Sequence, residues 1–461
     1  MDTNIFREYD IRGIVGEQLS DETVGVLGRA LGTFFAQNGA KRIALGYDAR
    51  ESSTRFCDIL TAGLTSSGRD VVLIGMVPTP VLYQTVYTRD VDGGVMITGS
   101  HNPPDHNGFK ICLGRATLFG PQIQEIREIA ERTETEMVDE AAIGKVARID
   151  VIDGYVDDIV SRIDLGPRKL KAVIDGGNGM GGVTAGPVYE KLGVELVKLF
   201  TDPDPNFPNH HPDPTVTENL QDVIAAVSAE RADLGIAFDG DGDRIGVVDE
   251  SGRIIWGDEL MILLSRTILE ANPGAAIIAE VKCSQNLFDD IEKNGGTAIM
   301  ERAGHSIIKS RMKASGALLA GEMSGHIFFA DRFYGFDDAT YAGARLLEIM
   351  SRTDKKLSQL FDGIPVTFST PEIRTECPDD VKFDVVRRVA EHFERDHRVI
   401  TIDGARIIFE HGWGLVRASN TQAILVLRFE AETNADLEAM QTEVEGFVRS
   451  AIRERSQVPY S

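Results

Sequence analysis

The sequence predicts an α/β protein: three repeated α/β domains with mixed, largely parallel sheets, then a smaller C-terminal α+β domain. Three observations lead there. A strand–loop–helix–strand unit occurs three times: RIALGYDAR (42–50) with a helix ending in LTSSG and the strand DVVLIG, KAVIDGGNG (171–179) with a helix ending in YEKLG and the strand VELVKLF, and AAIIAEVKC (275–283) with a helix ending in IEKNG and the strand TAIMER. Parallel neighbours need such a crossover, and its repetition implies repeated domains. Each unit is followed by a strand, a polar loop and a return strand, the loops being TGSHNPPDHNG, FDGDGDR and GEMSGH. Past the Pro-containing link GIPVTFSTPEIRTECPDD the pattern changes to a helix of about Val381 to Glu394 with Val385, Val386, Val389 and Phe393 on one face, then strands and a closing helix near Asp436 to Arg453. A chain of 461 residues, 42% hydrophobic, exceeds one core, and we place domains at 1–146, 147–253, 254–365 and 366–461.

In chain order, the first segment opens with Tyr9 and Arg12 in a Gly-containing loop. Ser20 then caps a helix whose apolar positions Val24, Leu27, Leu31, Phe34 and Phe35 recur at helical spacing until Gly39. The stretch MITGSHNPPDHNGFK (96–110) follows the first βαβ unit. Gly99 allows backbone angles closed to other residues, and Asn102-Pro103-Pro104 forbids helix, so Ser100 is expected on a stiff, exposed loop at a sheet edge. A serine needs activation for covalent chemistry, and His101 and Lys110 are the nearest groups able to take a proton or neutralise charge. A solvated turn is the competing reading of this stretch by itself.

The second loop sets Asp239, Asp241 and Asp243 at alternate positions, an oxygen donor set suited to a hard divalent cation such as Mg²⁺. An EF-hand would need Gly where Arg244 stands and helices where ADLGIAF and RIGVVD read as strands. Gly177, Gly179 and Gly182 satisfy a dinucleotide-binding GxGxxG, but that reading explains none of the other loops. In the last domain, VRASNTQ (416–422) offers a guanidinium fork, hydroxyls and backbone N–H groups, the makings of a phosphate cradle, with an ordinary Asn/Ser turn as the alternative.

The formal net charge of −24 argues against nucleic acid as a partner, and an anionic substrate would need a local cationic cleft. Cys57, Cys112, Cys283 and Cys377 form no CxxC pair and are expected reduced and structural. The charged start MDTNIFREYD is no signal peptide, no stretch is apolar enough for a membrane span, and a cytoplasmic location is expected.

Together TGSHNPP (98–104), DGDGDR (239–244), GEMSGH (321–326) and RASNT (417–421) resemble, in the right order and across essentially the whole chain, the phosphoserine, metal, sugar and phosphate loops of the α-D-phosphohexomutase family. FREYDIRG, VKCSQNL and AGHSIIK are most similar to its phosphomannomutase/phosphoglucomutase branch. Two positions depart from the family pattern: Ala423 replaces a proline that commonly closes the phosphate loop, and GYDAR varies a GxDxR loop. The resemblance implies a four-domain molecule with a central active site. It assigns Ser100 as a phosphoserine that, with Asp239, Asp241 and Asp243, holds Mg²⁺, and Arg244 as an aid to phosphoryl transfer. Lys282 is the implied general acid/base and a substrate ligand, with His101 and Lys110 as helpers beside the serine and Tyr9 and Arg12 near it. Glu322 and Ser324 would grip sugar hydroxyls, His305 and His326 would frame that pocket, and Arg417, Ser419, Asn420 and Thr421 would hold the non-reacting phosphate. The implied reaction interconverts hexose 1-phosphate and hexose 6-phosphate of mannose and glucose, with hexose 1,6-bisphosphate as intermediate and activator. Partners are then small phosphosugars, with no nucleic acid or membrane, and a monomer is expected, a dimer being compatible. Phosphoglucosamine mutase, a non-catalytic sugar-phosphate binder and a serine hydrolase are the alternatives, the last lacking a GxSxG turn.

Overall fold

In the computed structural model of the chain, residues 1–132, 143–419 and 423–456 are described. They form four sheets. The first runs Ile11–Ile14, His106–Leu113, Gly93–Ile97, Arg42–Tyr47, Asp70–Met76 and Val146–Arg148, with Ala116–Thr117 paired to His106–Leu113. The second runs Ile254–Ile255, Ile245–Asp249, Leu234–Phe238, Lys171–Asp175 and Glu195–Leu199, and the third Thr297–Glu301, Ala276–Glu280, Leu319–Gly321 and Ile327–Phe329. In each, parallel strands are joined by crossover helices and one parallel strand is followed by an antiparallel return: Gly93–Ile97 by His106–Leu113, Leu234–Phe238 by Ile245–Asp249, Leu319–Gly321 by Ile327–Phe329. The three polar loops are these three reversals. The fourth sheet, carrying Gly412–Ala418 and Ile424–Ala431, is antiparallel throughout.

Local sequence explains the elements. Ser20 caps Asp21–Gln37 by accepting the Thr23 N–H at 3.2 Å, Asp21 and Glu22 lie at the positive end of the helix, and Val24, Leu27, Leu31, Phe34 and Phe35 are buried. Lys382–Phe393 buries Val385, Val389 and Phe393 against the fourth sheet, with Val386 at the margin. All four cysteines are buried and free. Among the described residues no helix is long and apolar enough to cross a membrane.

One apolar core runs without a break from Val77 and Leu82 through Tyr155 and Tyr189 to Leu346 and Met350, joining the first three domains. Tyr189 Oη on its path donates to the Thr340 carbonyl at 3.0 Å. The last domain keeps its own core around Val385, Leu427, Phe429 and Val444. It attaches through Arg406, fully buried and 3.7 Å over the Trp413 ring; the Arg406 guanidinium donates to the Val281 and Cys283 carbonyls flanking Lys282.

Two expectations are corrected here. Tyr9 and Arg12 were expected in a loop, but Arg12 lies on the strand Ile11–Ile14, paired with Gly108. That strand covers the hairpin of His106–Leu113, while Arg42–Tyr47 covers the other side of Gly93–Ile97, so Ser100 follows an interior strand and is 2% exposed rather than exposed at an edge. The period-2 pattern of so short a strand is too weak to read beside a glycine and two charged residues.

Candidate active site

Ser100 sits in the left-handed region at φ +50°, which costs a β-carbon-bearing residue energy and is held only by its surroundings. Those surroundings come from the first GYDAR loop. Arg50, 2% exposed, donates to the carbonyls of Ser100 at 2.8 Å, Asn102 and Pro103 at 2.5 Å and His106 at 2.9 Å, and Asp48 accepts the Gly99 N–H at 3.2 Å. Gly99 is needed for closeness rather than for its own backbone angles, since a β-carbon there would lie 2.5 Å from the Arg50 guanidinium. Ser100 Oγ donates to Asp239 Oδ2 at 2.9 Å and lies 3.2 Å from His101 Nδ1.

Asp239, Asp241 and Asp243 are fully buried and each turns a carboxylate oxygen into a common space. The tight turn is made by the Asp243 and Arg244 N–H groups donating to Asp239 Oδ1 and by Gly242 at φ +74°. Gly240 packs on the Ser100 carbonyl so closely that a β-carbon would lie 2.2 Å from it. Lys110 Nζ donates to Asp241 Oδ2 at 2.7 Å and to Asp243. Burial alone would depress the Lys110 pKa, but Asp241 and Asp243 overcome it and hold the ammonium well above its ordinary range. Burial, with Asp243 and Asp241 beside it, pushes Asp239 up; for Asp241 burial acts the same way, but the Lys110 charge and hydrogen bonds carry it far below. Asp241 Oδ1 and Asp243 Oδ1 are buried with no hydrogen-bond partner. Two orphaned carboxylate oxygens beside a third carboxylate and a serine oxygen fit a hard divalent cation.

The second loop is tied to the third. Arg244 Nε donates to His326 Nε2 at 2.9 Å, which makes Nε2 the acceptor and puts the ring proton of His326 on Nδ1. That nitrogen is 3.0 Å from Asp337 Oδ2 and 3.5 Å from Asp243 Oδ1. His305 stacks on His326 at 5.6 Å and meets the edge of Tyr9 at 6.1 Å. Burial first, then Lys309, depresses His305, and burial with Arg244 and Arg12 depresses His101, so both rings are neutral at neutral pH. Glu322 accepts the Gly304 N–H at 2.6 Å and has Ser324 Oγ at 3.5 Å.

The last domain closes the ring. Lys282 Nζ donates to Glu372 at 2.7 Å and lies 3.4 Å from Glu280. Arg417 donates to Asp403 at 3.0 Å, and Asp403 also accepts the Ala303 N–H at 3.1 Å.

Family models match these parts in the same order: phosphoglucomutase/phosphomannomutase alpha/beta/alpha domain I over residues 3–137, domain II over 153–252, domain III over 256–368 and the C-terminal domain over 372–446. The chain belongs to the phosphoglucomutase/phosphomannomutase family. It is 48% identical over 450 residues to a phosphoglucomutase of Neisseria gonorrhoeae, covering 97% of both chains. It is 46% identical over 444 residues to a phosphomannomutase/phosphoglucomutase of Pseudomonas aeruginosa, covering 95% of this chain and 94% of that one. The crystal structure of a phosphoglucomutase/phosphomannomutase family protein from Burkholderia thailandensis is 44% identical and superposes with a TM-score of 0.92, covering 98% of each chain.

In this member of the family, the candidate residues fall into two groups. Ser100, His101, Lys110, the three aspartates and Arg244 gather at one end. Lys282, Glu322 and Arg417 gather at the other with Glu280, whose carboxyl is pushed up to about 7 by burial, offset by Lys282 and reinforced by Glu322. Lys282 Nζ bonds Glu372 and not the serine loop, and Glu280 and Glu372 overcome burial to keep its pKa well above the ordinary range. His305 and His326 bridge the groups, and Arg12 reaches the serine loop through Asn102 at 2.6 Å. Ser419 is buried, while Asn420 and Thr421 lie outside the described residues. Sequence reasoning missed Asp48, Arg50, Asp337, Glu372, Glu280 and Asp403. The first two were visible in GYDAR; the others are single acids outside any motif, and the partner of Glu372, Lys282, lies 90 residues away.

Proposed function

We propose that the protein interconverts the 1-phosphates and 6-phosphates of glucose and mannose through a phosphorylated Ser100 and a hexose 1,6-bisphosphate. The observation that carries this reading is the bond from Ser100 Oγ to Asp239 beside two unsatisfied aspartate oxygens. Asp239, Asp241, Asp243 and the serine oxygen would hold Mg²⁺, which supplies charge compensation to the transferring phosphoryl group.

The residues of the chain then have separable tasks. The free hydroxyl of the bound sugar monophosphate attacks phosphorus on phospho-Ser100, and the bond to the serine oxygen breaks. Arg244, held by His326 and through it by Asp337, presents a guanidinium to the phosphoryl oxygens. Neutral His101 and His305 are placed to accept protons, whereas Lys110 and Lys282 keep theirs and act as cations. Glu322 and Ser324 hold sugar hydroxyls that both sugars share, and Arg417 with Ser419, Asn420 and Thr421 holds the phosphate that is not reacting. After the bisphosphate turns around, Ser100 Oγ attacks the other phosphoryl group and the second monophosphate leaves. Burial of the serine limits attack by water on the phosphoenzyme.

Mass spectrometry of the purified protein and turnover of glucose 1-phosphate by the Ser100→Ala variant test this together. Phosphate on Ser100 and loss of turnover by at least about a thousandfold are expected. Turnover retained without Ser100 would refute the covalent route.

A further inference from the structure

A cavity of about 570 Å³ lies between the first and third domains, and none of the candidate catalytic or substrate residues lines it. Its walls come from the helix Thr79–Thr88, the hairpin around Arg115, the helix His305–Ser315 and the segment ending at Phe336. The chain has 72 acidic and 48 basic residues, yet this cavity is lined by Arg115, Lys309 and Lys313 and by no Asp or Glu. Among the described residues neither Arg115 nor Lys313 forms an ion pair, so the wall carries uncompensated positive charge, which focuses anions in a concave site.

One part of the lining is aromatic. Tyr87, Tyr334 and Phe336 form a continuous face, with ring centres 5.3 Å apart for Tyr87 and Tyr334 and 5.8 Å for the parallel pair Tyr334 and Phe336. The Arg115 guanidinium lies 5.0 Å over Tyr87, and Lys309 Nζ 4.1 Å over Tyr83. Tyr83 and Ser306 both line the cavity, and Tyr83 Oη and Ser306 Oγ are buried with no hydrogen-bond partner among the described residues. Buried hydroxyls are seldom left so, and here they supply the polar contacts that orient a ligand among rings. Lys309 also binds Asp337 at 3.0 Å, the carboxylate that holds His326, which joins this cavity to the catalytic cleft.

We propose that this cavity binds a small anion carrying an aromatic ring, with the ring against Tyr87, Tyr334 and Phe336 and the charge on Arg115, Lys309 and Lys313. Two sources share that chemistry, a nucleoside phosphate and an aryl carboxylate. The volume accommodates either.

Fluorescence titration of the full chain with 8-anilinonaphthalene-1-sulfonate tests it. One probe per chain is expected, displaced by guanosine 5′-monophosphate if the source is a nucleotide or by 1-naphthoate if it is a carboxylate, and left in place by uncharged 1-naphthol and by glucose 1-phosphate. Arg115→Glu and Lys313→Glu, both at exposed positions, should each weaken the probe by at least about tenfold, with an unchanged circular dichroism spectrum and unchanged turnover of glucose 1-phosphate. A smaller loss in either variant, displacement by 1-naphthol, displacement by glucose 1-phosphate or displacement by neither anion overturns the proposal.

Discussion

Replacing Lys110 with Met tests whether this ammonium stands in for a cation among the aspartates. Lys110 is 3% exposed, and Asp239, Asp241 and Asp243 are fully buried. Its Nζ is 2.7 Å from Asp241 and also bonds Asp243, so the substitution keeps most of the side-chain volume and leaves two buried carboxylates without their common partner. Removing one member of a buried ion pair costs about 3–5 kcal/mol, a large part of a stability of roughly 5–15 kcal/mol. Divalent cation should recover part of that loss. Magnesium at a hundred times its Kd stabilises a protein by about 2.7 kcal/mol. Without a competing ammonium the Kd should tighten by about tenfold, which adds about 1.4 kcal/mol at fixed magnesium. Urea unfolding with and without magnesium reads the stability, and isothermal titration calorimetry reads the Kd. A loss below about 1 kcal/mol together with a Kd within about threefold of the parent would refute the reasoning, because Lys110 would then be neither partner nor competitor.

Three further outcomes follow from the same geometry. Gly240→Ala puts a β-carbon 2.2 Å from the Ser100 carbonyl, so the metal loop must part from the serine loop, and turnover should fall by more than about tenfold while the circular dichroism spectrum is kept. Glu372 is held down to about 2 by the Lys282 charge, partly offset by burial, so its contribution to stability is present above pH 4.5 and is lost as pH falls through about 2. With the side chain 26% exposed the contribution is discounted to about 1–2 kcal/mol, and the gap between parent and Glu372→Gln in urea midpoints should close between pH 5 and pH 2; a gap independent of pH counts against the pair. Glucose 1-phosphate and mannose 1-phosphate should differ by less than about a hundredfold in kcat/KM, some 2.7 kcal/mol, since Glu322 and Ser324 are assigned to hydroxyls that the two sugars share, and a larger preference in steady-state kinetics would reveal a contact to the 2-hydroxyl.

The sequence by itself determined the repeated α/β architecture, the smaller last domain and the place of three polar loops in the repeat. Those features are local. A crossover helix follows its strand within a short span, Ser20 caps the helix it precedes, and three aspartates at alternate positions announce an oxygen site whatever surrounds them. Those three loops sit where the repeat put them, at the reversal after a parallel strand in each of the first three sheets. What only the tertiary structure decided is which charges meet. Ser100 is buried because the short strand Ile11–Ile14 and the side chain of Arg50 close over its hairpin. Lys110 faces the aspartates of another domain and Lys282 faces Glu372 of the last, each pairing set by how the domains pack and not by spacing along the chain. An isolated acid or base reads as a solvated side chain in one dimension. Only burial next to its partner gives it a shifted pKa and a task, and burial is a property of the packed core that joins the domains.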